Sequence, residues 1–396
     1  MSGFAMAQTY SIIIKGGHVI DPKNKIDGVM DVAIGDGKIA LVAKDIDAKE
    51  GKKVIDAGGM YVTPGIIDLH THVYYGTNID QGLMNGPNSV APDAFSFRAG
   101  VTTFVDAGSS GWRSFPDFKR QSIDNSQTRV LAFLNIVGEG MRGGSYEQTT
   151  KDMDAHKTAS VARTYPKDIV GIKLAHYSGH NWAPTDSAAK AGRLADLPVM
   201  VDFGTSNPPL SIEELFMKHL RPGDIFTHAY AYFPETRETV VDENGKVKPF
   251  IFAAQKRGII FDVGHGGGSF RWSQAIPAIQ QGFIADAISS DLHTGSMNSA
   301  MKDMANLMSK FLCMGLSVQD VILRSTWNPA KIIKRPELGN LSIGTEADVA
   351  IFSISKGDFG FTDINGEKRN GSQKLVAELT IRAGKIVWDL NGISAP

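Results

Sequence analysis

The sequence predicts a (β/α)₈ barrel, an α/β TIM barrel, joined to a small β-sandwich domain formed from the N- and C-terminal segments. Three observations lead to this prediction. With 396 residues the chain is longer than a single small core needs. Its centre alternates short apolar runs with helix-like segments. Both ends carry strand and hairpin patterns. We expect residues 9–62 and 341–392 to form the sandwich and residues 63–340 to form the barrel.

Turn residues between strand-like runs define the predicted sandwich. One hairpin is predicted at Lys15-Gly16-Gly17-His18 and a second at Gly35-Asp36-Gly37. Near the C-terminus, Arg382-Ala383-Gly384-Lys385 lies between apolar runs and predicts a third. The segment from Ile381 to Val387 resembles that from Ile14 to Ile20, which suggests that the two ends build one domain.

Eight apolar runs predict the parallel strands of the barrel. Their apolar residues fall on both alternating positions, as in strands covered on both faces. Eight βα units close most naturally into a barrel. The runs are Gly65–Leu69, Thr102–Ala107, Val130–Val137, Ile169–Ala175, Pro198–Phe203, Asp224–His228, Ile259–Val263 and Ala287–Ser290.

Composition narrows the function classes. The formal net charge of −1 gives no electrostatic reason to expect nucleic acid or an anionic membrane as a partner. No run approaches the roughly 18 apolar residues of a membrane span. Cys313 is the single cysteine, so internal disulfides and Cys-rich zinc modules are excluded. A metal bound here must therefore use nitrogen and oxygen ligands.

The first residues of the sequence bear on cellular location, and the predicted barrel bears on assembly. Residues 1–8 lack a basic segment and an apolar core, so we expect a cytoplasmic protein. Ala5-Met6-Ala7 resembles the end of a cleavage site, and a signal peptide removed before Gln8 would make the protein periplasmic. Large barrels commonly form symmetric homo-oligomers, which we also expect here.

Polar residues follow the predicted strands, and in a barrel the C-terminal strand ends line one pocket. His70 and His72 end the first strand, and residues i and i+2 share a strand face. They therefore either bind one metal or cap the strand through hydrogen bonds. Lys173 lies inside the apolar fourth run, where an unpaired ammonium is costly. A neutral amine there can react with CO₂ to form a carbamate that joins two metals; the alternative is an ion pair with a pocket carboxylate.

Later strands end in further candidates. His228 ends the sixth run, and Asp291 follows the eighth, where a carboxylate can bind metal and accept a proton from water. His265 is predicted to bind substrate, with glycines 266 to 268 allowing close approach of the backbone. Other candidate substrate contacts follow predicted strands, with packing as the alternative role for each: His176, Tyr177, Tyr74 and Arg271.

His70-x-His72, Lys173, His228 and Asp291, in this order, resemble the amidohydrolase superfamily in its binuclear branch with a carbamylated lysine. Gly171-Ile172-Lys173 is most similar to the dihydroorotase-like deacetylase subgroup. The resemblance covers nearly the whole chain, including the split sandwich. It implies that His70, His72 and Asp291 hold one Zn²⁺, that His228 holds a second, and that carbamylated Lys173 bridges them. Mn²⁺ or another divalent ion is an alternative.

Two residues depart from the pattern. Asp202 stands on the fifth run where the family has a histidine. A carboxylate can still bind zinc and would make the site harder; alternatively it bonds a neighbour and the second metal is weak or absent. Tyr74 stands where the dihydroorotase pattern has an arginine, which argues against a dihydroorotate-like pose.

We therefore expect hydrolysis of an ester or amide bond in a small acylated hydroxy- or amino-acid-type carboxylate. A hydroxide between the metals would attack the carbonyl, and Asp291 would carry the proton. The alternatives are a cyclic amidohydrolase of the dihydroorotase or hydantoinase kind, a deaminase, or a non-catalytic scaffold, which the change at Asp202 suggests.

Overall fold

A computed structural model describes residues 9–86, 88–202 and 205–395. The predicted cleavage-site remnant before Gln8 lies outside these residues. The strands of the N-terminal segment are β1 (Ile12–Asp21), β2 (Ile26–Gly35), β3 (Lys38–Ala43), β4 (Val54–Asp56) and β5 (Tyr61–Pro64). The central strands are β6 (Ile66–Thr71), β7 (Val101–Gly111), β8 (Arg129–Asn135), β9 (Ile169–Leu174), β10 (Val199–Val201), β11 (Ile225–Phe226) and β12 (Ile260–Phe261). The C-terminal strands are β13 (Val349–Thr362), β14 (Lys368–Arg382) and β15 (Lys385–Asp389).

In the part of the chain that the structure describes, ten α-helices lie between or after the central strands. They are α1 (Phe115–Phe118), α2 (Ala155–Thr164), α3 (Ala183–Ala195), α4 (Ile212–Glu214), α5 (Pro249–Arg257), α6 (Trp272–Gln280), α7 (Thr294–Met297), α8 (Met304–Cys313), α9 (Val318–Ser325) and α10 (Trp327–Ile332). Within the described residues, none of these helices has the length and apolar character that crossing a membrane requires.

Strands from both ends of the chain share one largely antiparallel sheet. Its order is β15-β14-β13-β5-β1-β2-β3, and β4 pairs with β1. Strand β5 joins the two ends, because it pairs with β1 on one side and with β13 on the other. Branched side chains such as Ile14, Val62 and Ile351 fill a separate hydrophobic core here. Both ends of the chain thus contribute to one sheet.

Two of the three predicted hairpins are confirmed, and one prediction is wrong. Strands β2 and β3 turn at Asp36 and Gly37, and β14 and β15 turn between Arg382 and Lys385. The segment around Gly16 is instead a bulge within the continuous strand β1. Its backbone N–H donates to the Asp31 carboxylate across the sheet at 2.8 Å, and its φ of 67° suits glycine. The pairing with β2 therefore continues through the bulge.

The central strands form a curved, entirely parallel sheet in sequential order from β6 to β12. Every residue of β6, β7 and β9 is buried, as expected for strands covered on both faces. Register places Lys173 of β9 between Asn135 of β8 and Met200 of β10. The carboxyl ends of the strands thus lie at one edge of the sheet.

The eighth predicted run, Ala287–Ser290, does not form a regular strand. Single parallel bridges join Ala287 to Asp262 and Leu292 to Thr71, so the segment touches both edge strands of the sheet. Side chains replace several backbone bonds of a regular ladder: the Ser290 N–H donates to the Asp68 carboxylate at 2.9 Å. This competition explains why an apolar run gives bridges rather than a strand.

Candidate metal centre

Three imidazoles at the carboxyl end of the parallel sheet have their Nδ1 atoms held by the protein. The partners of Nδ1 are the Thr227 hydroxyl at 3.0 Å for His70, the Ser109 hydroxyl at 3.0 Å for His72 and the Gly264 carbonyl at 2.6 Å for His228. Holding one ring nitrogen in this way orients the other, as in metal-binding histidines. The Nε2 atoms of all three rings face neighbouring carboxylates.

Hydrogen bonds fix the tautomers of two of these rings. Thr227 donates its hydroxyl proton to Asp262 at 2.7 Å, so it must accept from Nδ1–H of His70. The Gly264 carbonyl can only accept, which places a proton on Nδ1 of His228. Burial, followed by the nearby Lys173, lowers the pKa of His70 to about 4. Neutral His70 therefore presents a lone pair at Nε2, as does the neutral form of His228.

The carboxylate of Asp291 lies close to the Nε2 atoms of His70 and His72. Its Oδ1 lies 3.1 Å from Nε2 of His72 and 3.6 Å from Nε2 of His70. Although burial by itself raises the pKa of Asp291, the imidazoles of His70, His72 and His228 hold it well below its usual range. Ligand atoms of His70, His228 and Asp291 all lie within 4.8 Å of one another. The site thus combines an ionised carboxylate with ring nitrogens at ligand spacing.

Lys173 lies fully buried beside this group. Its Nζ is 3.4 Å from Nε2 of His70 and 3.5 Å from the sulfur of Met200. Within the described part of the chain, no carboxylate oxygen lies within 4.0 Å of Nζ, so the alternative of an ion pair is not seen. Burial lowers the pKa of Lys173. Gly108 makes room for the side chain, since a Cβ there would lie 2.6 Å from Cγ of Lys173.

Asp202 lies at the end of β10, on the other side of the group. Its Oδ2 is 3.3 Å from Nε2 of both His228 and His176. Burial raises its pKa, but these two imidazoles hold the pKa of Asp202 well below its usual range. The Arg237 guanidinium approaches Oδ1 at 3.5 Å and donates to the Thr227 carbonyl at 2.7 Å. Asp202 therefore faces the site residues, as its place on the fifth run predicts.

His176 follows β9 and borders the same cavity. Its Nδ1 is 2.9 Å from Oε2 of Glu147, a buried carboxylate, and its Nε2 faces Asp202. Enclosure would lower the pKa of His176, but hydrogen bonds to Asp202 and Glu147 raise it to about 10. The ring is thus a cation while these carboxylates are its only partners.

A cavity with two adjoining lobes of about 340 and 320 Å³ opens over these residues. Both lobes are lined by His176, Asp202, His228, Asp291 and His293. One lobe extends to Gly267 and Gly268, whose backbone N–H groups make no hydrogen bond within the described residues. Each lobe is large enough to hold a small organic ligand.

The remaining candidate substrate contacts lie elsewhere. Tyr177 borders a separate small cavity behind Asp202. Tyr74 is buried against Phe118, and its hydroxyl is 3.4 Å from the Ser114 carbonyl. Of the two others, Arg271 lies near the ring of Tyr232, and His265 is fully buried, stacked on Phe270 and 2.7 Å from Nζ of Lys310. The structure brings none of these four side chains to the lining of the main cavity.

Three ionisable residues that line the cavity were not predicted from the sequence: Glu147, Arg237 and His293. Glu147 lies in a short 3₁₀ helix, Gly144–Gln148, and Arg237 lies in a loop, and no motif relates either residue to a strand end. His293 lies two residues after Asp291, and that spacing was a usable signal. Its Nδ1 accepts the Gly295 N–H at 3.0 Å, and its Nε2 is 3.9 Å from Asp291.

The chemistry of the donor atoms fits divalent metal ions. The Nε2 atoms of His70, His72 and His228, on rings whose Nδ1 atoms are already held by the protein, face the carboxylates of Asp291 and Asp202 at 3.1 to 3.6 Å. A divalent cation between the groups would compensate the burial of these carboxylates. Imidazole and carboxylate ligands of this kind suit zinc and related ions.

Comparisons with known proteins agree with this chemistry. The model of the amidohydrolase family matches residues 271–387. A deacetylase of Brucella anthropi is 33% identical over 350 residues, covering 86% of this chain and 83% of the relative. Among solved structures, an adenine deaminase has 28% identity and a TM-score of 0.86, covering 96% of this chain and all (100%) of that one. A dihydroorotase structure has 28% identity and a TM-score of 0.83, with 96% and 99% covered.

The fold and the cluster of buried ligand groups define a metal-dependent hydrolase. The chain belongs to the amidohydrolase superfamily, with similarity to its dihydroorotase-like and deacetylase members. This membership confirms the resemblance seen in the sequence and leaves the non-catalytic scaffold without support.

Proposed function

We propose that this enzyme removes the acyl group from a small acylated hydroxy- or amino-acid-type carboxylate. The observation that carries the proposal is the set of imidazole Nε2 atoms turned toward Asp291 and Asp202 at the floor of the cavity. Similarity to deacetylases over most of the chain supports acyl transfer to water as the reaction.

The donor groups divide into two metal sites in this proposal. His70, His72 and Asp291 hold one Zn²⁺, and His228 with Asp202 holds a second. Lys173 would supply a carbamate ligand; its burial and the absence of a carboxylate partner among the described residues support a neutral, reactive amine. When bound, divalent ions lower the pKa of water toward about 7 and polarise the carbonyl to be attacked.

Asp291 moves the proton in this proposal. Its carboxylate lies at the cavity wall and is kept ionised by the imidazoles around it. An ionised carboxylate can accept a proton from the attacking water and return it to the departing alcohol or amine. His70 and His72 hold the carboxylate in place from one side.

The carboxylate of the substrate is placed at the glycine loop. Gly267 and Gly268 line the cavity, and their N–H groups have no acceptor within the described residues. Free N–H groups on consecutive residues favour anions. The half-exposed Phe233 lines the same lobe and offers an apolar surface to the rest of the substrate.

A cyclic amide or a purine is the alternative substrate, favoured by the dihydroorotase and adenine deaminase similarity. The buried position of Tyr74, where dihydroorotases place an arginine, disfavours a dihydroorotate-like pose. We infer further that Ala287–Leu292 closes the parallel sheet into an eight-stranded barrel, since it bridges both edges. Residues 63–340 then form the catalytic domain.

The test is metal analysis of protein purified without chelators, followed by a substrate panel. We expect two zinc ions per chain, and an intact mass increased by one CO₂ on Lys173. The panel pairs acetylated hydroxy and amino acids, in both enantiomers, with the same esters and amides lacking the carboxylate. Hydrolysis that requires the carboxylate supports the proposal. Ring opening or deamination with no deacylation would overturn it.

A further inference from the structure

The imidazole of His176 lies beside Asp202, the residue that replaces the expected histidine of the fifth predicted strand. Asp202 stands at the end of β10 in place of the histidine that the resemblance implies. His176, at the end of the neighbouring strand β9, brings Nε2 to 3.3 Å from Oδ2 of Asp202. Nε2 of His228 lies 3.3 Å from the same oxygen. One carboxylate oxygen therefore connects two imidazole nitrogens, one of them from an unexpected strand.

The other face of His176 is held in the way that metal-binding imidazoles are held. Its Nδ1 is 2.9 Å from Oε2 of Glu147. Glu147 is 2% exposed, and its other oxygen accepts the Gly143 N–H at 2.9 Å, which fixes the carboxylate. A carboxylate on the distal nitrogen orients a metal-binding histidine and raises its basicity. The side chain of His176 is 52% exposed toward the cavity, so its Nε2 is accessible.

The backbone at His176 matches that of two proposed metal ligands. Its φ is 57°, and φ is 57° at His228 and 50° at Asp291. His176 and His228 follow parallel strands, Asp291 follows the bridged segment Ala287–Ser290, and none of the three is a glycine. A positive φ is uncommon for residues other than glycine, and His and Asp are among the residues that adopt it most readily. His176 is thus turned into the cavity by the same local device as His228 and Asp291.

We propose that His176 binds the second metal ion together with Asp202 and His228, supplying the imidazole missing from the fifth strand. This inference rests on the proposed function, because it requires the second metal site. The nitrogen of His176 offsets the harder oxygen of Asp202, so the site keeps a preference for Zn²⁺ or Co²⁺ over Mg²⁺.

Metal binding to the chelator-treated full chain tests the proposal. Zn²⁺ affinities of both sites are measured by competition with a chromophoric chelator, and the bound metal is counted by mass spectrometry after gel filtration. The variants are His176→Ala and His176→Asn, with His180→Ala as the control. His180 lies in the same loop, is exposed, and bonds the Pro208 carbonyl through Nδ1. Circular dichroism of each protein before metal is added checks the fold.

We expect two ions in the wild-type chain and in His180→Ala. In both His176 variants one ion remains tightly bound, and the second binds at least about tenfold more weakly. The visible spectrum of the Co²⁺-loaded protein should also lose intensity in these variants. Two ions at wild-type affinity in a folded His176 variant would overturn the proposal, and so would a wild-type chain that takes up only one. Two ions without deacylation would instead refute the proposed function alone.

Discussion

The two ends of the parallel sheet bury carboxylates about equally but surround them differently. Asp224, just before β11, is 1% exposed and accepts hydrogen bonds from the Arg221 guanidinium and from two backbone N–H groups. Asp291, at the opposite end, is 8% exposed and faces the imidazoles of His70 and His72. The oxygens of Asp224 thus find all these hydrogen-bond donors within the protein. The carboxylate of Asp291 is left for a cation.

The difference separates stability from chemistry within one sheet. A guanidinium that donates twice to a carboxylate compensates its burial and fixes its geometry. Imidazoles already held through Nδ1 instead turn Nε2 toward the carboxylate, an arrangement that a divalent cation between the groups would stabilise. Functional sites commonly break the rules of polar satisfaction that the rest of a fold obeys. We therefore expect substitutions at the carboxyl end to change metal binding and turnover, and substitutions at the amino end to change stability.

The largest expected effect is at Lys173. Lys173→Ala removes the proposed bridge, so we expect loss of metal and a fall in turnover of about a thousandfold or more, since bound metals supply several kcal/mol of catalysis. Lys310→Met is the matched control, because Lys310 is also fully buried but bonds His265 and two carbonyls away from the cavity. Mass spectrometry and deacylation rates measure both. Equal metal loss in the two variants would make the effect one of folding.

The next effect is at Asp291. Asp291→Asn keeps an oxygen for metal but cannot take up a proton, so we expect kcat to fall by about 10² to 10⁴. Metal content should fall far less than turnover, and the free energy of unfolding should change little. A variant with wild-type kcat on a good substrate would show that Asp291 does not carry the proton.

Local signals in the sequence led to ionisable groups that meet at the carboxyl end of the sheet, but not to most of the predicted substrate contacts: four of these residues lie outside the cavity lining, namely Tyr74, Tyr177, His265 and Arg271. His70 and His72 share a strand face through their spacing, and Lys173 interrupts an apolar run, so both are visible without tertiary structure. Glu147, in a short 3₁₀ helix, and Arg237, in a loop, line the cavity although no periodicity of the sequence relates them to it. Their contacts depend on tertiary packing that no local pattern encodes.

Two predicted elements failed for a related reason. The turn-like residues around Gly16 give a bulge, because Asp31 on the paired strand bonds the backbone there. The run Ala287–Ser290 gives bridges, because Asp68 bonds the backbone of Ser290. In both places a distant side chain replaces a ladder bond. The similar segment near Ala383, by contrast, forms the predicted hairpin.

A moderate effect is expected at the amino end. Asp224→Asn weakens the bonds to Arg221 and the backbone, and we expect a loss of about 3 kcal/mol in the free energy of unfolding. Urea denaturation with saturating and with chelated metal measures it. Metal content at native conditions should equal that of the wild type. Loss of metal from the folded variant would break the proposed separation between the two ends.

The smallest effect is expected at Asp286, a second carboxylate at the amino end. It borders a cavity of about 370 Å³ there, together with Asp224. Burial raises its pKa, although the Phe261 N–H donates to its Oδ2 at 2.9 Å. Among the residues that the structure describes, no guanidinium donates twice to Asp286, as that of Arg221 does to Asp224. Asp286→Asn keeps an oxygen acceptor for Phe261 and removes the charge, so we expect a change within about 1 kcal/mol.

The raised pKa of Asp286 predicts how the stability of the wild type and of Asp286→Asn changes with pH. Because the folded pKa of Asp286 lies above its unfolded value of about 3.9, the folded state binds the proton more tightly. The resulting stability is complete below the unfolded pKa and is lost as pH rises through the folded pKa. Asp286→Asn lacks this loss, so relative to wild type it should gain stability as pH rises from about 4 and then level off. A loss as large as that of Asp224→Asn at neutral pH would mean that burial, and not the guanidinium partner, makes a carboxylate at this end structural.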